Sequence, residues 1–287
     1  MPHPPRTWPA LDIRLREPGT RAPSFEDRLA VLLDDLQPIA IDANEATGLW
    51  RVYFDEPYAR DAAMASLAAE LMDECLVTSL DEEDEGWVYK VQENLRAITV
   101  GRITVAPPWD VPEAHGADSV VVVIEPSMGF GTGHHQSTRL CLAALQELPV
   151  DGCRVIDAGT GSGVLALAAR LLHSGEVTAF DNDADSVAAA QGNSRLNGLA
   201  PDLVVAQASL NDVDFVPADI VTANLTASIL TSYAATLTRL VAPGGYLIVS
   251  GFTTNQVDGV REAFTSLMVE RELQEDDWVA LVLRSSS

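Results

Sequence analysis

The chain has 287 residues, of which 47% are hydrophobic and 21% charged, a composition typical of a folded globular protein and not of a disordered one. Its 42 acidic residues outnumber its 18 basic ones, and the net charge of −24 repels nucleic-acid phosphates, so we expect no direct binding of DNA or RNA. No run of about eighteen apolar residues is present to span a membrane, and the length favours two domains over one.

The first residues and the cysteines indicate the cellular compartment. Residues 1–8 lack the apolar segment of a secretory signal. The three cysteines, Cys75, Cys141 and Cys153, lie in apolar stretches and have no metal-ligand spacing. We therefore expect buried free thiols, a cytoplasmic protein and no metal cofactor.

Alternating strands and helices are predicted before residue 86. The predicted order is strand, helix, strand, strand, helix and strand, over residues 11–16, 24–36, 39–41, 50–54, 58–75 and 76–80, with a turn-rich segment at 42–45. This order predicts a small ferredoxin-like α+β domain at residues 1–86. The fold alone does not identify what such a domain binds.

Five consecutive acidic residues, 81–85, follow the last of these strands and are called the acid run below. Two interpretations of the acid run stay open. Acidic side chains in the first turn of a helix complement the helix dipole. An exposed acidic segment also attracts a basic protein partner.

A connecting region separates this unit from a different pattern. A helical pattern through Val91 and Leu95 leads to the apolar segment 98–105 and then to a proline-dense segment at 106–112. Proline lacks the N–H donor that a helix or a central strand requires. We therefore assign residues 87–118 to a linker helix and connecting segment.

Residues 119–287 alternate between strands and helices, which predicts a mainly parallel α/β sheet. The predicted strands are 119–124, 153–157, 176–181, 203–207, 219–223, 245–250, 269–274 and 278–284. The predicted helices are 136–148, 163–172, 184–197, 226–241 and 255–267. Only a short turn joins the last two strands, so the sheet is expected to finish in an antiparallel hairpin.

Polar residues and glycines gather at the carboxyl ends of these strands, where open parallel sheets bind ligands. Gly159, Gly161 and Gly163 form a tight turn before a helix, which lets backbone N–H groups approach a ligand closely. Asp181 ends the next strand, where a carboxylate suits the two hydroxyls of a ribose. A helix cap is the alternative role for Asp181, although Asp183 can serve as that cap instead.

Two further strand ends carry polar side chains. Ser209 follows the strand at 203–207, and Asn224 follows the strand at 219–223. The side-chain carbonyl of Asn224 could accept a hydrogen bond from a substrate amine. The alternative is that Asn224 caps the helix that begins near Thr226.

Together these motifs resemble those of the class I S-adenosylmethionine (AdoMet)-dependent methyltransferases. The resemblance rests on residues 155–163, Asp181, the Asn-Gly pair at 197–198 and the Ala-Pro-Gly-Gly segment at 242–245. It implies a Rossmann-like seven-stranded sheet with an antiparallel last strand. AdoMet is then the expected methyl donor.

One family of these enzymes is indicated by a longer motif. Residues 124–138, IEPSMGFGTGHHQST, resemble the DPG-x-AFGTGTHPTT signature of PrmA, the methyltransferases of large-subunit ribosomal protein eleven. Residues 224–227 stand at the NILA motif of that family, and residues 105–109 match its linker. The resemblance covers residues 87–251 in sequence and residues 1–86 in architecture.

The PrmA resemblance implies an activity and a set of site residues. It implies methyl transfer to lysine side-chain amines, and to N-terminal amines, of a basic large-subunit ribosomal protein that residues 1–86 recognise. AdoMet contacts fall on four matching positions, Thr138, Gly159, Asp181 and Asn224. We expect three further residues at the same site, Phe130, Gly161 and Ser209. Asn224 is the expected catalytic residue, because it would orient the amine.

The chain departs from the family pattern at several positions, and these leave the methyl acceptor open. The departures are Glu125, Ser127, Met128, His134 and residues 226–228. Methylation of a lysine in another protein is therefore an alternative. His134 and its neighbour His135 have no partner residues at metal-ligand spacing, so we expect them to shape the loop over the cofactor.

Two other classes of protein share part of this pattern. A nicotinamide-dependent oxidoreductase also has a glycine turn and a ribose-binding acid, but its fingerprint requires Gly-x-Gly-x-x-Gly, and Val164 stands three residues after Gly161. A non-catalytic nucleotide-binding module could keep the same fold. We expect a monomeric methyltransferase that binds no membrane.

Overall fold

The protein is described from a computed structural model that covers residues 7–16, 29, 32–33, 38, 40–44 (backbone only), 48–54, 56–71, 74–83, 95–112, 119–126, 133–200 and 202–286. The chain divides into two compact units, residues 1–94 and 95–287. Residues 95–112, which we had assigned to the connecting segment, belong to the second unit.

The first unit contains one antiparallel sheet. Its strands are β1 (Thr7–Leu15), β2 (Ala40–Asn44), β3 (Leu49–Tyr53) and β4 (Cys75–Glu83). Their spatial order is β2-β3-β1-β4, and helix α1 (Pro57–Leu71) connects β3 to β4. This strand order is that of the split βαβ arrangement. Of the helix predicted at 24–36, the described residues Leu29, Leu32 and Leu33 are helical.

One face of this sheet carries the core of the first unit. Side chains alternate between the two faces of a strand. Leu11, Ile13 and Val52 are fully buried and belong to the same hydrophobic cluster as Leu67 and Leu71 of α1. Burying a side chain of this size stabilises the fold by about 1.5–3 kcal/mol. The apolar stripe of α1 and the alternation of β1 therefore suffice to explain why helix and sheet pack.

Two element boundaries in the first unit were predicted wrongly. Cys75 does not end a helix, because α1 ends at Leu71 and Cys75 pairs in β4 with Leu15 of β1. The turn predicted at 42–45 is strand as far as Asn44. In both places pairing with a neighbouring strand overrides the local pattern.

The first three residues of the acid run are strand. Residues 81–83 continue β4, where Glu82 pairs in the sheet with Trp8 of β1. The Glu82 carboxylate lies 3.0 Å from Arg51 Nη1 and accepts a hydrogen bond of 2.9 Å from the Tyr53 hydroxyl. Residues 84–85, and the helical pattern predicted around Val91, lie outside the described residues.

The second unit is built on a seven-stranded sheet. Its strands are β8 (Val155–Ala158), β9 (Val177–Asp181), β10 (Leu203–Gln207), β11 (Ala218–Asn224), β12 (Val241–Thr253), β13 (Met268–Glu275) and β14 (Trp278–Arg284). The order is β10-β9-β8-β11-β12-β14-β13, and the first five of these strands are parallel. Strand β14 is antiparallel to both of its neighbours. The predicted sheet with an antiparallel last strand is confirmed.

Helices cover both faces of this sheet. They are α2 (Gln136–Leu145), α3 (Val164–Leu171), α4 (Ala184–Leu196), α5 (Ala227–Ser232), α6 (Ala234–Arg239), a short 3₁₀ helix (Thr254–Gln256) and α7 (Val257–Ala263). The single helix predicted over 226–241 is wrong. It is interrupted at Tyr233, whose φ of −109° and ψ of 16° leave the helical range.

The main sheet is buried on both sides. Consecutive residues of β8 enter opposite cores, Val155 with Leu167 of α3 and Ile156 with Leu237 of α6. Parallel strands that are covered on both faces read as continuous apolar runs, which is why they were predictable. The few polar side chains buried inside the strands are hydrogen-bonded, as those of Asp157 and Thr222 are to each other.

A small three-stranded sheet precedes the main one. It consists of β5 (Ile98–Val100), β6 (Ile103–Ala106) and β7 (Val120–Val123). The apolar segment 98–105 is a hairpin, because Gly101 turns the chain at a φ of +59°. The strand predicted at 119–124 is β7, which pairs with β6 and stands outside the main sheet.

The cysteines and the helix lengths bear on two of the predictions. Cys75, Cys141 and Cys153 are all free thiols, as expected, but Cys153 is partly exposed where burial was predicted. Within the described residues, no helix has the length and apolarity needed to cross a membrane.

Candidate active site

The glycine turn after β8 depends on backbone angles that favour glycine. Gly159, Gly161 and Gly163 have φ values of +69°, +52° and +86°. The N–H groups of Gly159 and Thr160 both donate to the carbonyl of Phe180, at 2.9 and 3.0 Å. The turn is therefore fixed against the end of β9, and it leads directly into the N-terminus of α3.

A buried carboxyl group, that of Asp157, is hydrogen-bonded to this turn. Asp157 is 1% exposed and accepts hydrogen bonds of 2.6 Å from the hydroxyls of Thr160 and Thr222. The Ala166 N–H donates to the same carboxylate at 3.3 Å. Burial raises the pKa of Asp157, although these hydrogen bonds oppose the shift. Asp157 thus joins the turn, β11 and the first residues of α3.

Asp181 lies at the carboxyl end of β9, beside the glycine turn. Its Oδ2 accepts from the Gly161 N–H at 2.9 Å, and its Oδ1 accepts from the Asp183 N–H at 3.1 Å. A carboxylate oxygen can accept more than one hydrogen bond, so both oxygens keep acceptor capacity. Asp181 does not cap α4, because Asp183 does so by accepting from the N–H groups of Asp185 and Ser186.

Asn224 ends β11 and reaches towards α2. Its Nδ2 donates to the Thr138 hydroxyl at 3.2 Å. Its Oδ1 is buried, and no hydrogen-bond partner for it exists among the described residues. The capping alternative is excluded, because α5 begins at Ala227 with Thr226 as its N-cap residue. An unpaired buried acceptor costs about 1–3 kcal/mol, which a ligand donor would recover.

Leu225, which follows Asn224, fits between two glycines. A Cβ atom on Gly159 would lie 2.3 Å from Leu225 Cδ2, and a Cβ atom on Gly251 would lie 2.4 Å from the Leu225 carbonyl oxygen. The Leu225 N–H also donates to the Ser250 carbonyl at 2.9 Å. The backbone that places Asn224 is therefore held by the ends of β8 and β12.

The N-terminal turn of α2 supplies Thr138, which is 3% exposed. His135 caps this helix, since its Nδ1 accepts from the Ser137 N–H at 3.3 Å and lies 2.7 Å from the Ser137 hydroxyl. Burial, followed by the Arg139 charge, lowers the pKa of His135. His134 Nε2 lies 2.9 Å from the Arg96 carbonyl. These contacts favour a structural role for both histidines.

The remaining predicted residues are placed less directly. Ser209 follows β10, and its hydroxyl accepts from the N–H and the side-chain amide of Asn211 at 3.2 and 3.3 Å. The adjacent Ala208 N–H donates to the Asp181 carbonyl at 2.9 Å, which brings this turn beside Asp181. Phe130 lies outside the described residues. No group of three or more His, Cys, Asp or Glu side chains in the described part of the chain could hold a metal ion.

Two asparagines, Asn193 in α4 and Asn197 at its C-cap, connect the site to β7. Asn193 donates to the Ser162 carbonyl at 2.8 Å and accepts from the Glu125 N–H at 2.9 Å. Asn197 exchanges hydrogen bonds of 2.8 and 2.6 Å with the backbone of Val123. Strand β7, which precedes the FGTG sequence at residues 130–133, is thereby linked to the glycine turn. Sequence reasoning missed Asn193, although asparagines four residues apart on a helix were a visible signal.

The chain is similar in sequence to one family of known proteins. A family model described as Ribosomal protein L11 methyltransferase (PrmA) matches residues 13–286. The ribosomal protein L11 methyltransferase of Deinococcus radiodurans is 36% identical over 232 residues, which cover 77% of this chain and 81% of that protein. The one from Myxococcus xanthus is 34% identical over 280 residues, which cover 96% and 93%.

A solved structure agrees with these relatives. The ribosomal protein L11 methylase of Lactobacillus delbrueckii subsp. bulgaricus superposes with a TM-score of 0.62 at 28% identity. The superposition covers 67% of this chain and 100% of that one.

Proposed function

The chain belongs to the family of ribosomal protein L11 methyltransferases, and from this premise we infer that it is an enzyme that methylates ribosomal protein L11 with AdoMet as methyl donor. Lysine side-chain amines are the acceptors, with N-terminal amines as a further acceptor. The observation that carries the proposal is the buried Oδ1 of Asn224 at the carboxyl edge of the sheet, which no described residue pairs. This acceptor suits an amine N–H group.

The described residues fit AdoMet at the same edge. AdoMet supplies a methyl group that is already activated by its positive sulfur. Asp181, held by the Gly161 N–H, offers carboxylate oxygens to the ribose hydroxyls. The positive φ angles of Gly159 and Gly161 let the backbone approach the nucleoside closely. We propose Thr138 and Ser209 as further contacts, with Phe130 assigned from the sequence alone.

The residues around Asn224 explain how an amine could be prepared. A free lysine amine has a pKa of about 10.4 and is mostly charged near neutral pH, whereas methyl transfer requires a nitrogen lone pair. Loss of water around the amine favours its neutral form. Asn224 Oδ1 would then accept one amine hydrogen and direct the lone pair. Holding reactants in this way accelerates transfer without a general base.

The proposal is tested by calorimetric titration with AdoMet, followed by radiolabelled methyl transfer to purified ribosomal protein L11. We expect binding and labelling of L11. Asp181→Ala should weaken AdoMet binding by about 1–3 kcal/mol, which is roughly 5- to 150-fold, because a charge-assisted hydrogen bond is lost.

Asp183→Ala is the matched control for this experiment. It removes a helix cap and costs stability, but we expect AdoMet affinity to stay unchanged. Failure of the wild-type protein to bind AdoMet would reject the enzyme. Labelling of a different protein would retain the chemistry and reject L11 as substrate.

The first unit is proposed to bind L11 as a basic partner, using the acid run. Asp81 and Glu82 are already paired, with Arg60 at 2.5 Å and Arg51 at 3.0 Å. The informative variant therefore changes only the other three acids, Glu83, Asp84 and Glu85, to their amides. We expect weaker binding of L11 in titrations followed by surface plasmon resonance, most clearly at low salt, with AdoMet affinity unchanged.

A control variant of equal charge change is available in the second unit. It neutralises three exposed acids, Asp151, Asp214 and Glu262, and should leave L11 binding near the wild-type value. Equal binding by the acid-run variant and the control across the salt series would contradict the proposal.

We further propose that the protein is a cytoplasmic monomer that does not bind nucleic acid. The net charge of −24 supports the absence of nucleic-acid binding.

A further inference from the structure

The β13–β14 turn, here residues 275–278 with the last residue of β13 and the first of β14, is joined to the start of α2 by an ion pair. Arg139 Nη2 lies 2.5 Å from Glu275 Oε1, and Arg139 Nε lies 2.9 and 3.1 Å from the two carboxylate oxygens. Arg139 Nη1 also donates to the His134 carbonyl. One guanidinium therefore joins the turn to the backbone that precedes α2.

A ring contact and a weaker hydrogen bond accompany this ion pair. The rings of Trp278 and His135 meet edge to face, with centroids 4.3 Å apart. Gln136 Nε2 lies 3.5 Å from Asp276 Oδ2. The β13–β14 turn thus contacts successive residues on the N-terminal side of α2.

The turn itself is fixed by other parts of the second unit. Asp276 has a φ of +51°, a left-handed conformation that aspartate tolerates better than most residues. The Gln274 side chain donates to the Asp276 carbonyl at 2.8 Å, and the Thr254 N–H donates to the Asp277 carbonyl at 2.8 Å. A turn held in this way can serve as a reference point for α2.

The consequence reaches the proposed site through one residue. Thr138 precedes Arg139 in the first turn of α2, and its hydroxyl holds the Asn224 amide. We propose that Glu275 is a positioning residue that fixes this turn through Arg139 and so aligns Thr138 and Asn224 for AdoMet and the amine. The inference rests on the proposed function.

The first test replaces Glu275 with glutamine. Loss of the bidentate pair should weaken AdoMet binding about 3- to 10-fold and lower kcat about 10-fold, with KM for L11 unchanged, because small displacements of aligned groups slow reactions strongly. Arg139→Lys keeps the charge but loses the planar geometry, and it should reproduce both losses. Circular dichroism and thermal unfolding establish that each variant is folded.

A matched control lies on the same strand. Glu272 pairs with Arg261 at 2.6 Å, on β13 but away from α2. Glu272→Gln therefore removes an equivalent ion pair from the same hairpin. We expect its AdoMet affinity and its kcat to equal those of the wild-type protein.

A second readout uses the pKa of His135 in the AdoMet-free protein. Among the described residues, the charged groups that act on His135 are Arg139 on α2 and Glu275 at the end of β13. Burial and Arg139 lower this pKa below 6.5, whereas Glu275 raises it. Glu275→Gln should therefore shift the NMR titration of His135 to lower pH. This shift would report the Glu275 charge beside the start of α2, whereas the loss of kcat at unchanged KM for L11 separates positioning from a mere loss of stability.

The outcomes separate the inference from the function on which it rests. Wild-type protein that fails to bind AdoMet rejects the proposed function. Wild-type protein that binds AdoMet, together with Glu275→Gln of equal affinity and equal kcat, overturns the positioning role. Equal losses in Glu275→Gln and Glu272→Gln would overturn it as well.

Discussion

Replacing Asn224 with alanine is expected to lower kcat for methyl transfer to L11 by about 100-fold, the size of effect found when a positioned polar group is removed from an active site. AdoMet affinity should fall far less. The reason is that Oδ1 of Asn224 has no hydrogen-bond partner in the described part of the chain, which leaves it to an incoming amine. Single-turnover kinetics with calorimetric AdoMet titration measure the two quantities separately.

Two companion variants make this result specific. Thr138→Val removes the hydroxyl that Nδ2 of Asn224 contacts, and it should produce a smaller loss of kcat in the same direction. Asn211→Ala removes an amide that bonds to Ser209, a proposed AdoMet contact, so any change should appear in AdoMet affinity while kcat stays unchanged. An unaltered kcat in Asn224→Ala would contradict the assigned role, as would a loss of AdoMet affinity equal to the loss of kcat.

Replacing Gly251 with alanine is expected to lower the free energy of unfolding by about 3 kcal/mol or more. Two effects add. The φ of +97° is strained for any residue with a Cβ atom, and that atom would lie 2.4 Å from the Leu225 carbonyl oxygen and 2.8 Å from its carbon. Because the obstacle is backbone, a rotamer change cannot relieve it. Urea unfolding followed by circular dichroism measures the loss.

Two other glycines separate these effects. Gly198 has a φ of +69° with open space around it, so Gly198→Ala should cost only about 1 kcal/mol from backbone strain. Gly259 lies in α7 with open space and no positive φ, so Gly259→Ala should stabilise by up to about 1 kcal/mol. A Gly251→Ala variant no less stable than Gly198→Ala would show that Leu225 moves aside freely.

Much of the second unit was predictable because buried parallel strands are short apolar runs between helices. Strand β10 has the predicted bounds, 203–207. The failures occur where a contact distant in sequence decides the local structure. The hairpin at Gly101 depends on Gln146, whose side chain donates to the Val100 carbonyl and accepts from the Arg102 N–H.

The candidate site was predictable to the same extent. Asp181 and Asn224 were predicted at one edge of the sheet because parallel strands end there, and both residues do end strands. Glu275 was not found, since it lies 136 residues from Arg139, and no local pattern reports such a pair. Asp157 was passed over as the end of a strand, although its buried carboxyl joins three segments.

Strand β14 comes last in chain order but lies inside the sheet, between β12 and β13. During synthesis, a ribosome must therefore release residues 278–284 before β13 has any partner in the sheet and before β12, which already pairs with β11, is paired on its second edge. Until then β12 and β13 present unpaired edges, which are prone to associate with other chains. Trp278 also reaches His135 only at that stage. The proposed alignment of α2 by the β13–β14 turn is thus available only after almost the whole second unit has been translated.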